Sequence, residues 1–599
     1  MSNKFFKNVK LKYLYIISFV FISLPIMAIG KFVEQIPLNS KALSLANSVT
    51  AYPPGLMSIH YNPAGLSKIG PDIMLNFSLN SARIERDDQF IPNNDFFIAT
   101  DDKNEKYYLN YDPSSKVNEV YDSTSNAHTT RNDRLFYIPL LDHTETLPFS
   151  ISPFPLGLTY RETGSRLTEA FAFYFPQSWG YMNDNGDDAS RFQCKSTYQQ
   201  YFVYSYALSY QFSNSLSAGL SLAIGQSAYG MTSDLRLPTD QIAYILRKRR
   251  SSLYGSYFEW KPGLTAYNRL GELELKLRDD LTYSYNCGVL WEPFTMLSIG
   301  LSYQSEVKRR LKGKFKVSYD KHLQGLMNIL KSKNPDNFEV LILDMLNKNN
   351  NTYVNTSQQE GEATISDYNY PQSVRLGFKF QPLEDIRLLA DISWTNWDII
   401  NSQKISFDSP VKILKLYQAH RYTEDPGFFD ANTYNFSASE IIIEKHFKDT
   451  IDWSLGIEYQ AAESIALRAG YERRMSGVKD EYFDLHSWPT SNLIGAGVEV
   501  KLKNRVTIEL GLGYLFCDDY YLSADISQNT SNQTSAYTNR FGGSMSYGHS
   551  GNLNSNIDPN NLFNNPYPGQ NYKMSLNTYF VSANITIPWN ELKKIYKNL

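Results

Sequence analysis

Arg375, Lys379, Arg387, Asp391, Glu458, Arg468, Glu472, Glu499, Lys501 and Glu509 fall at positions that an alternating strand turns to one face, out of phase with apolar neighbours. Charges sharing an interior face pair across neighbouring strands. A cation left over can orient a ligand carboxylate through a charge-assisted hydrogen bond, and Arg375, Arg387 and Arg468 are the candidates for that contact. Other reactive patterns are missing. The sequence has no Gly-rich phosphate loop with its Lys, no HExxH and no paired-cysteine zinc spacing, so no catalytic residue, metal site or cofactor is expected. The eight histidines are scattered, and His446 and His486 read as ordinary polar residues. Binding or transport is therefore expected rather than catalysis.

The elements that must position these charges are strands. In Leu281–Arg310, Tyr283, Tyr285, Cys287, Val289 and Trp291 point one way and Ser284, Asn286 and Gly288 the other. After Pro293, Phe294 and Thr295, Leu297, Ile299, Leu301 and Tyr303 restore the greasy face against Ser298, Gly300, Ser302 and Gln304. The same hairpin recurs at 198–212 with 216–224, 364–380 with 386–403, 446–460 with 465–476 and 492–502 with 506–521. A first strand begins at Ile73, and a clean last one carries Tyr579, Val581, Ala583, Ile585, Ile587 and Trp589 on one face. Strands near 149–160 and 168–176 are weaker, the first being interrupted by Pro148, Pro153 and Pro155. The total is about fourteen, an even number suited to an all-β, antiparallel transmembrane barrel of the bacterial outer membrane. Short turns near 213, 294, 383, 462 and 504 alternate with long connections near 84–147, 232–271, 318–363, 404–445 and 522–573. Short turns at one rim and long loops at the other are how such barrels are built.

Two long connections carry helical patterns, at Pro238–Ser251 and in the runs Leu323, Leu326, Met327, Leu330 and Phe338, Leu341, Ile342, Met345. They either cap the barrel or form a groove for a greasy ligand. The basic run Arg247-Lys248-Arg249-Arg250 reads either as a solvated helix end or as a contact for phosphates of surface lipopolysaccharide.

Residues 1–30 read as a signal peptide: Lys4, Lys7, Lys10 and Lys12 precede an apolar stretch from Tyr13 to Ile26, with Ala28 and Gly30 offering a cleavage site. That stretch is shorter than the roughly 20 residues a spanning helix needs. Residues 31–70 form a compact segment rich in small residues, 71–589 the barrel, and 590–599 a tail on the periplasmic side. The formal net charge of −3 argues against a nucleic-acid partner, while 44 Tyr, 34 Phe and 8 Trp suit side chains at membrane interfaces. Cys194, Cys287 and Cys517 imply no disulfide framework, and the last two have the parity of outward apolar positions.

Tyr61-Asn62-Pro63-Ala64-Gly65-Leu66 resembles the Asn-Pro-Ala motif of FadL-type outer-membrane transporters of long-chain fatty acids and other hydrophobic compounds. The stretches LSIGLSYQSEVKRRLKG, YPQSVRLGFKFQPLEDIRLLADISWTNWD, FKDTIDWSLGIEYQAAESIALRAGYE and SNLIGAGVEVKLKNRVTIELGLGYLF are similar to the family's later strands in order and spacing. The resemblance runs from about residue 35 to 589. It implies a fourteen-stranded barrel plugged by an N-terminal hatch, here residues 31–70, with Asn62, Pro63, Ala64 and Gly65 as the hatch motif. Hydrophobic substrates would be caught at the external loops, enter a lumen pocket and leave sideways where the third strand, near Thr168 to Pro176, is kinked beside that motif. Its partners would be the hydrophobic ligand, outer-membrane lipid with lipopolysaccharide, and the barrel-assembly machinery, with the protein acting as a monomer. The chain departs from the pattern at Tyr52-Pro53-Pro54-Gly55 and in continuing past Trp589. The function expected is passive uptake of fatty acids, with three rivals: uptake of aromatic or alkane hydrocarbons, a surface adhesin or binding barrel, and an aqueous porin.

Overall fold

The computed structural model describes residues 37–91, 99–100, 106–107, 128–133, 135–138, 143–146, 150–152, 155–183, 191, 194–235, 269–321, 358–400, 402–411, 439–444, 447–478, 488–502, 504–517, 520–522 and 571–598. The signal peptide, the helical patterns at Pro238–Ser251 and after Lys321, the run Arg247–Arg250, His446 and His486 lie outside them.

The strands form fourteen staves of one closed antiparallel sheet, several of them broken into pieces. Stave β1 is Asp72–Ile91. Stave β2 is assembled from His128–Asp133, Ser150–Ser152 and Leu156–Arg161, each piece pairing with β1. Pro148, Pro153 and Pro155 fall around its middle piece, because proline removes a ladder donor. There follow β3 (Leu167–Asn183), β4 (Ser196–Ser213), β5 (Leu216–Leu235) and β6 (Gly271–Phe294). The next four are each double: β7 (Leu297–Gln304, Leu311–Tyr319), β8 (Gln358–Ile365, Ser373–Leu383), β9 (Ile386–Thr395, Ser402–Phe407) and β10 (Glu440–Glu444, Thr450–Ala462). The ring ends with β11 (Ile465–Arg474), β12 (Ser491–Lys501), β13 (Thr507–Phe516, Tyr520–Leu522) and β14 (Asn571–Pro588). Stave β14 pairs with β1 from Met74↔Pro588 to Ile91↔Asn571, which closes the barrel.

Large apolar side chains stand exposed on the outside: Phe77, Leu79, Tyr206, Leu222, Tyr283, Leu301, Leu455 and Leu512 among many. In a bilayer that face meets lipid, whereas the polar residues of the same staves are buried inside. Cys287 keeps the outward parity expected of it, opposite Leu220. Cys517 does not. It packs against the inner cluster of Leu43, Leu493, Leu515 and Leu576, since it shares the inward phase of Glu509 and Leu515 rather than the outward phase of Leu510 and Leu512.

Residues 37–70 run through the lumen and are almost wholly buried. They contain the short helices α1 (Ser40–Ser44) and α2 (Ser58–Tyr61) and a 3-10 helix at Pro63–Lys68. Asn39 caps α1 by accepting from the Lys41 and Ala42 amides. The segment leaves at the short-turn rim, where Lys68 pairs with Glu292 and Arg505 donates to the Pro71 carbonyl.

The last strand stops at Pro588, and Trp589–Asn598 fold as helix α3 rather than continuing the strand through Trp589. Pro588 has no N–H to extend the ladder. Asn504, in the short turn between β12 and β13, donates to Glu591 at 3.1 Å and holds the helix at that rim.

Candidate functional site

Within the lumen, Asn62 is the joint of the N-terminal segment. Its Nδ2 donates to the Thr50 carbonyl at 2.8 Å and the Val289 carbonyl of β6 at 3.2 Å, while its Oδ1 accepts from the Ala64 amide at 3.2 Å. The last bond caps the 3-10 helix, and Pro63 takes the first helical position, where its missing N–H costs nothing. The Ala64 carbonyl accepts from Ser209 of β4 and Ser217 of β5. The wall admits the motif because it carries glycine there. A Cβ on Gly219 would lie 2.3 Å from the Pro63 carbonyl carbon, and one on Gly288 2.1 Å from Asn62 Oδ1. Farther round, the Asp391 carboxylate of β9 accepts from the Val49 and Thr50 amides at 3.0 and 2.8 Å.

Stave β3 bulges as the motif-based expectation required, but above the Asn-Pro-Ala turn. Ser209, against Ala64, faces Thr168 in the β3–β4 ladder. The register breaks where Val203 faces Tyr174 and Tyr201 faces Gln177, so Phe175 and Pro176 together oppose Phe202. On its other side, β3 pairs with β2 from Glu169 to Phe173, and the pairing resumes at Tyr181 with Asp133. Inside the bulge stands α2, with the His60 ring edge-on to Tyr174 at 5.6 Å.

The bulge reverses the strand's parity. Phe171 is exposed outside, whereas Gln177, Trp179 and Tyr181 are buried. Gln177 and Trp179 then line a lumen pocket with Tyr229 and Met231 of β5 and with residues from the breaks in staves β7 to β10: Arg309, Tyr368, Tyr370, Trp397 and Phe447. The cavity between these walls measures about 70 Å³ and opens to solvent. The breaks supply the lining because each releases its chain inward, with Val307 bridging to Tyr370. Arg309 is buried among aromatic faces, its guanidinium 4.8 Å from the Tyr368 ring centroid and 5.6 Å from those of Tyr201 and Tyr370. It donates to the Tyr368 carbonyl at 2.7 Å and to Gln177 Oε1 at 3.1 Å, so it touches β3 directly above the bulge.

A barrel whose lumen holds its own N-terminal segment, with an aromatic pocket beside a bulged third strand, can be set against known proteins. The family model for outer membrane transport proteins of the OMPP1/FadL/TodX type matches residues 20–548. The chain belongs to this family. Its fold is similar to that of a Pseudomonas aeruginosa FadL homologue, at 12% identity and a TM-score of 0.58, over 94% of this chain and 100% of the other. It is also similar to the Pseudomonas putida toluene transporter TodX, at 12% identity and a TM-score of 0.50, over 92% and 97% of the two chains. No curated protein matches the sequence. Membership and barrel together place this FadL/TodX-type protein in the bacterial outer membrane, which it crosses with strands.

The three arginines singled out in the sequence are placed differently in this member of the family. Arg468 is 1% exposed at its side chain and enclosed by carboxylates. Its Nε donates to Glu458 and its Nη1 to Glu509, both at 2.7 Å, and Nη2 pairs with Glu499. Arg387 shares Glu458, which also accepts from the Tyr52 hydroxyl at 3.0 Å. Lys41 of α1 lies against this cluster, its ammonium 3.1 Å from the Tyr52 ring centroid, and burial together with nearby Arg468 brings it down to about 8. Arg375 makes no ion pair among the described residues. It lies 5.5 Å from the Tyr61 ring centroid, beside Asp391 and Glu472 under the N-terminal segment. Arg309, the cation of the aromatic pocket, was not among the candidates. In phase with Leu301 and Tyr303 it falls on the outward face; the break after Gln304 shifts that phase, and Val307, Arg309, Leu311 and Phe315 are all buried.

Proposed function

We propose that the protein takes up long-chain fatty acids or similar hydrophobic molecules passively, from capture outside, through the aromatic lumen pocket, to a lateral exit at the β3 bulge. The observation that carries the reading is the adjacency of pocket and bulge, joined by the Arg309–Gln177 contact. Each CH₂ removed from water is worth roughly 0.8 kcal/mol, so a sixteen-carbon chain gains on the order of 12 kcal/mol once the whole of it has left water. An aqueous route onward would return that gain, whereas a sideways step into the bilayer keeps it. Residues 37–70 act as the hatch, with Asn62, Pro63, Ala64 and Gly65 fixing its position. Arg309 meets the acid's head group, in the manner assigned from sequence to Arg375, Arg387 and Arg468. Of those three, Arg375 remains a deeper contact, while Arg387 and Arg468 brace the wall.

The aromatic lining of Trp179, Tyr229, Tyr370, Trp397 and Phe447 favours a second reading, uptake of aromatic hydrocarbons. Cells with and without the protein, supplied with labelled oleate, labelled toluene or a small sugar, separate the two. Faster oleate entry without faster sugar entry supports the first. Equal oleate entry in both strains sinks it, and a gain confined to toluene selects the second.

A further inference from the structure

Staves β6 and β7 carry a row of cations on the outside of the barrel, immediately beyond the apolar belt. The belt on β6 runs upward from Trp291 and ends with Tyr285, Tyr283 and Leu281, the last two 67% and 55% exposed. Above it the outward positions turn charged, mixed on β6, where Glu274 and Asp280 flank Lys276 and Arg278, and mainly basic on β7. Lys308, Arg310, Lys312 and Lys314 are exposed, alternating with buried Arg309, Leu311 and Phe315, and Lys276 and Arg278 are exposed beside them on β6. Outward residues on one strand recur about every 7 Å, and neighbouring strands lie about 5 Å apart, so the six form one compact patch.

The arrangement costs stability. Arg278 faces Lys312 and Lys276 faces Lys314 across the ladder, and like charges directly opposite repel. Lys276 also meets Glu274 at 2.7 Å, and Arg278 meets Asp280 at 3.2 Å. Lys308, Arg310, Lys312 and Lys314 form no ion pair among the described residues. On β8, Thr364 faces Lys312 and Glu362 faces Lys314, and Glu306 and Asp279 lie at the foot of the row, Asp279 accepting from the Arg310 amide at 2.8 Å, so these three acids stand beside four cations without an ion pair.

The patch lies at the end of the wall away from the short turns and the exit of the N-terminal segment, hence at the outer leaflet. We propose that it binds the phosphate groups of lipopolysaccharide in that leaflet, the acyl chains continuing down over Leu281, Tyr283 and Tyr285. Cations at the edge of a lipid-facing belt meet phosphates without leaving the interface, and charge-assisted bonds to phosphate offset the like-charge pairs.

The test uses the full-length protein in lipopolysaccharide-free micelles, titrated separately with lipopolysaccharide, phosphatidylglycerol and inorganic phosphate, and read by native mass spectrometry and thermal unfolding. The wild type should bind lipopolysaccharide most tightly. The variant Lys308→Gln/Arg310→Gln/Lys312→Gln/Lys314→Gln should lose about a hundredfold or more in affinity, since each lost charge-assisted bond is worth roughly tenfold. Unchanged affinity in that variant, or phosphatidylglycerol or free phosphate binding as tightly as lipopolysaccharide, overturns the proposal. Should that variant not fold, Lys312→Gln alone serves. It should melt no lower than wild type without lipopolysaccharide, because it relieves the repulsion with Arg278 and faces only Thr364 on the other side, and bind it about tenfold more weakly. A lower melting point with unchanged affinity contradicts the proposal.

Discussion

Two buried arginines on the inner wall, Arg468 of β11 and Arg309 in the break of β7, are held in opposite ways. Arg468 meets three carboxylates, from Glu458, Glu499 and Glu509. Arg309 meets tyrosine faces, a carbonyl and an amide oxygen. Near Arg468 the ladders β10–β11 and β11–β12 continue on both sides, and the cluster reaches the N-terminal segment through Tyr52. Near Arg309 the ladders are broken and the strand it touches is bulged. The first region is built to stay closed and the second to accept a guest, so burial of an arginine says little until its partners are known.

The largest expected effect strikes the closed region. Arg468→Ala leaves Glu509 buried without a cation and takes from Glu458 and Glu499 their buried partner, Arg387 and Lys501 alone remaining, a loss of ~3–5 kcal/mol. Heat-modifiable migration on a gel should show little folded barrel, and a wild-type melting point would show that the network contributes nothing. Next comes the wall glycine: Gly219→Val drives a side chain into the Pro63–Ala64 backbone, a strain of ~1–3 kcal/mol. The barrel should assemble with residues 37–70 displaced and open to protease, and unchanged protection would contradict the close fit. Asn62→Ala removes two side-chain donations and a cap, ~1–2 kcal/mol. Amide exchange in residues 50–69 should accelerate while the wall stays protected. The smallest effect distinguishes the two arginines: Arg309→Gln should fold like wild type yet slow oleate uptake about tenfold, with toluene uptake unchanged. Equal slowing of both substrates would remove the head-group role.

The fourteen-stave ring was legible because lipid forces the outward positions within its belt to be apolar, so alternation shows in Tyr283 to Trp291 without any knowledge of partners. The breaks were not. Ser298, Ser302 and Gln304 face inward at even positions but Val307, Arg309 and Leu311 at odd ones, because regular pairing stops at Gln304 and the phase shifts before it restarts at Leu311. The bulge hid the pocket more thoroughly, because the extra residue at Phe175–Pro176 turns Trp179 inward against the phase set by Phe171 and Phe173. The motif Asn62–Gly65 was readable only through family resemblance, and the glycines that admit it, Gly219 and Gly288, look in sequence like any small residue of the inner face.

The most direct test of the route from pocket to bilayer is oleate uptake by cells carrying a form with Phe175 deleted, which restores one-to-one pairing of Pro176 with Phe202 and removes the bulge. The barrel should assemble, as checked by its heat-modifiable migration, and oleate uptake should fall to the level of cells without the protein. Uptake at the wild-type rate through an assembled, unbulged barrel would contradict lateral exit at β3.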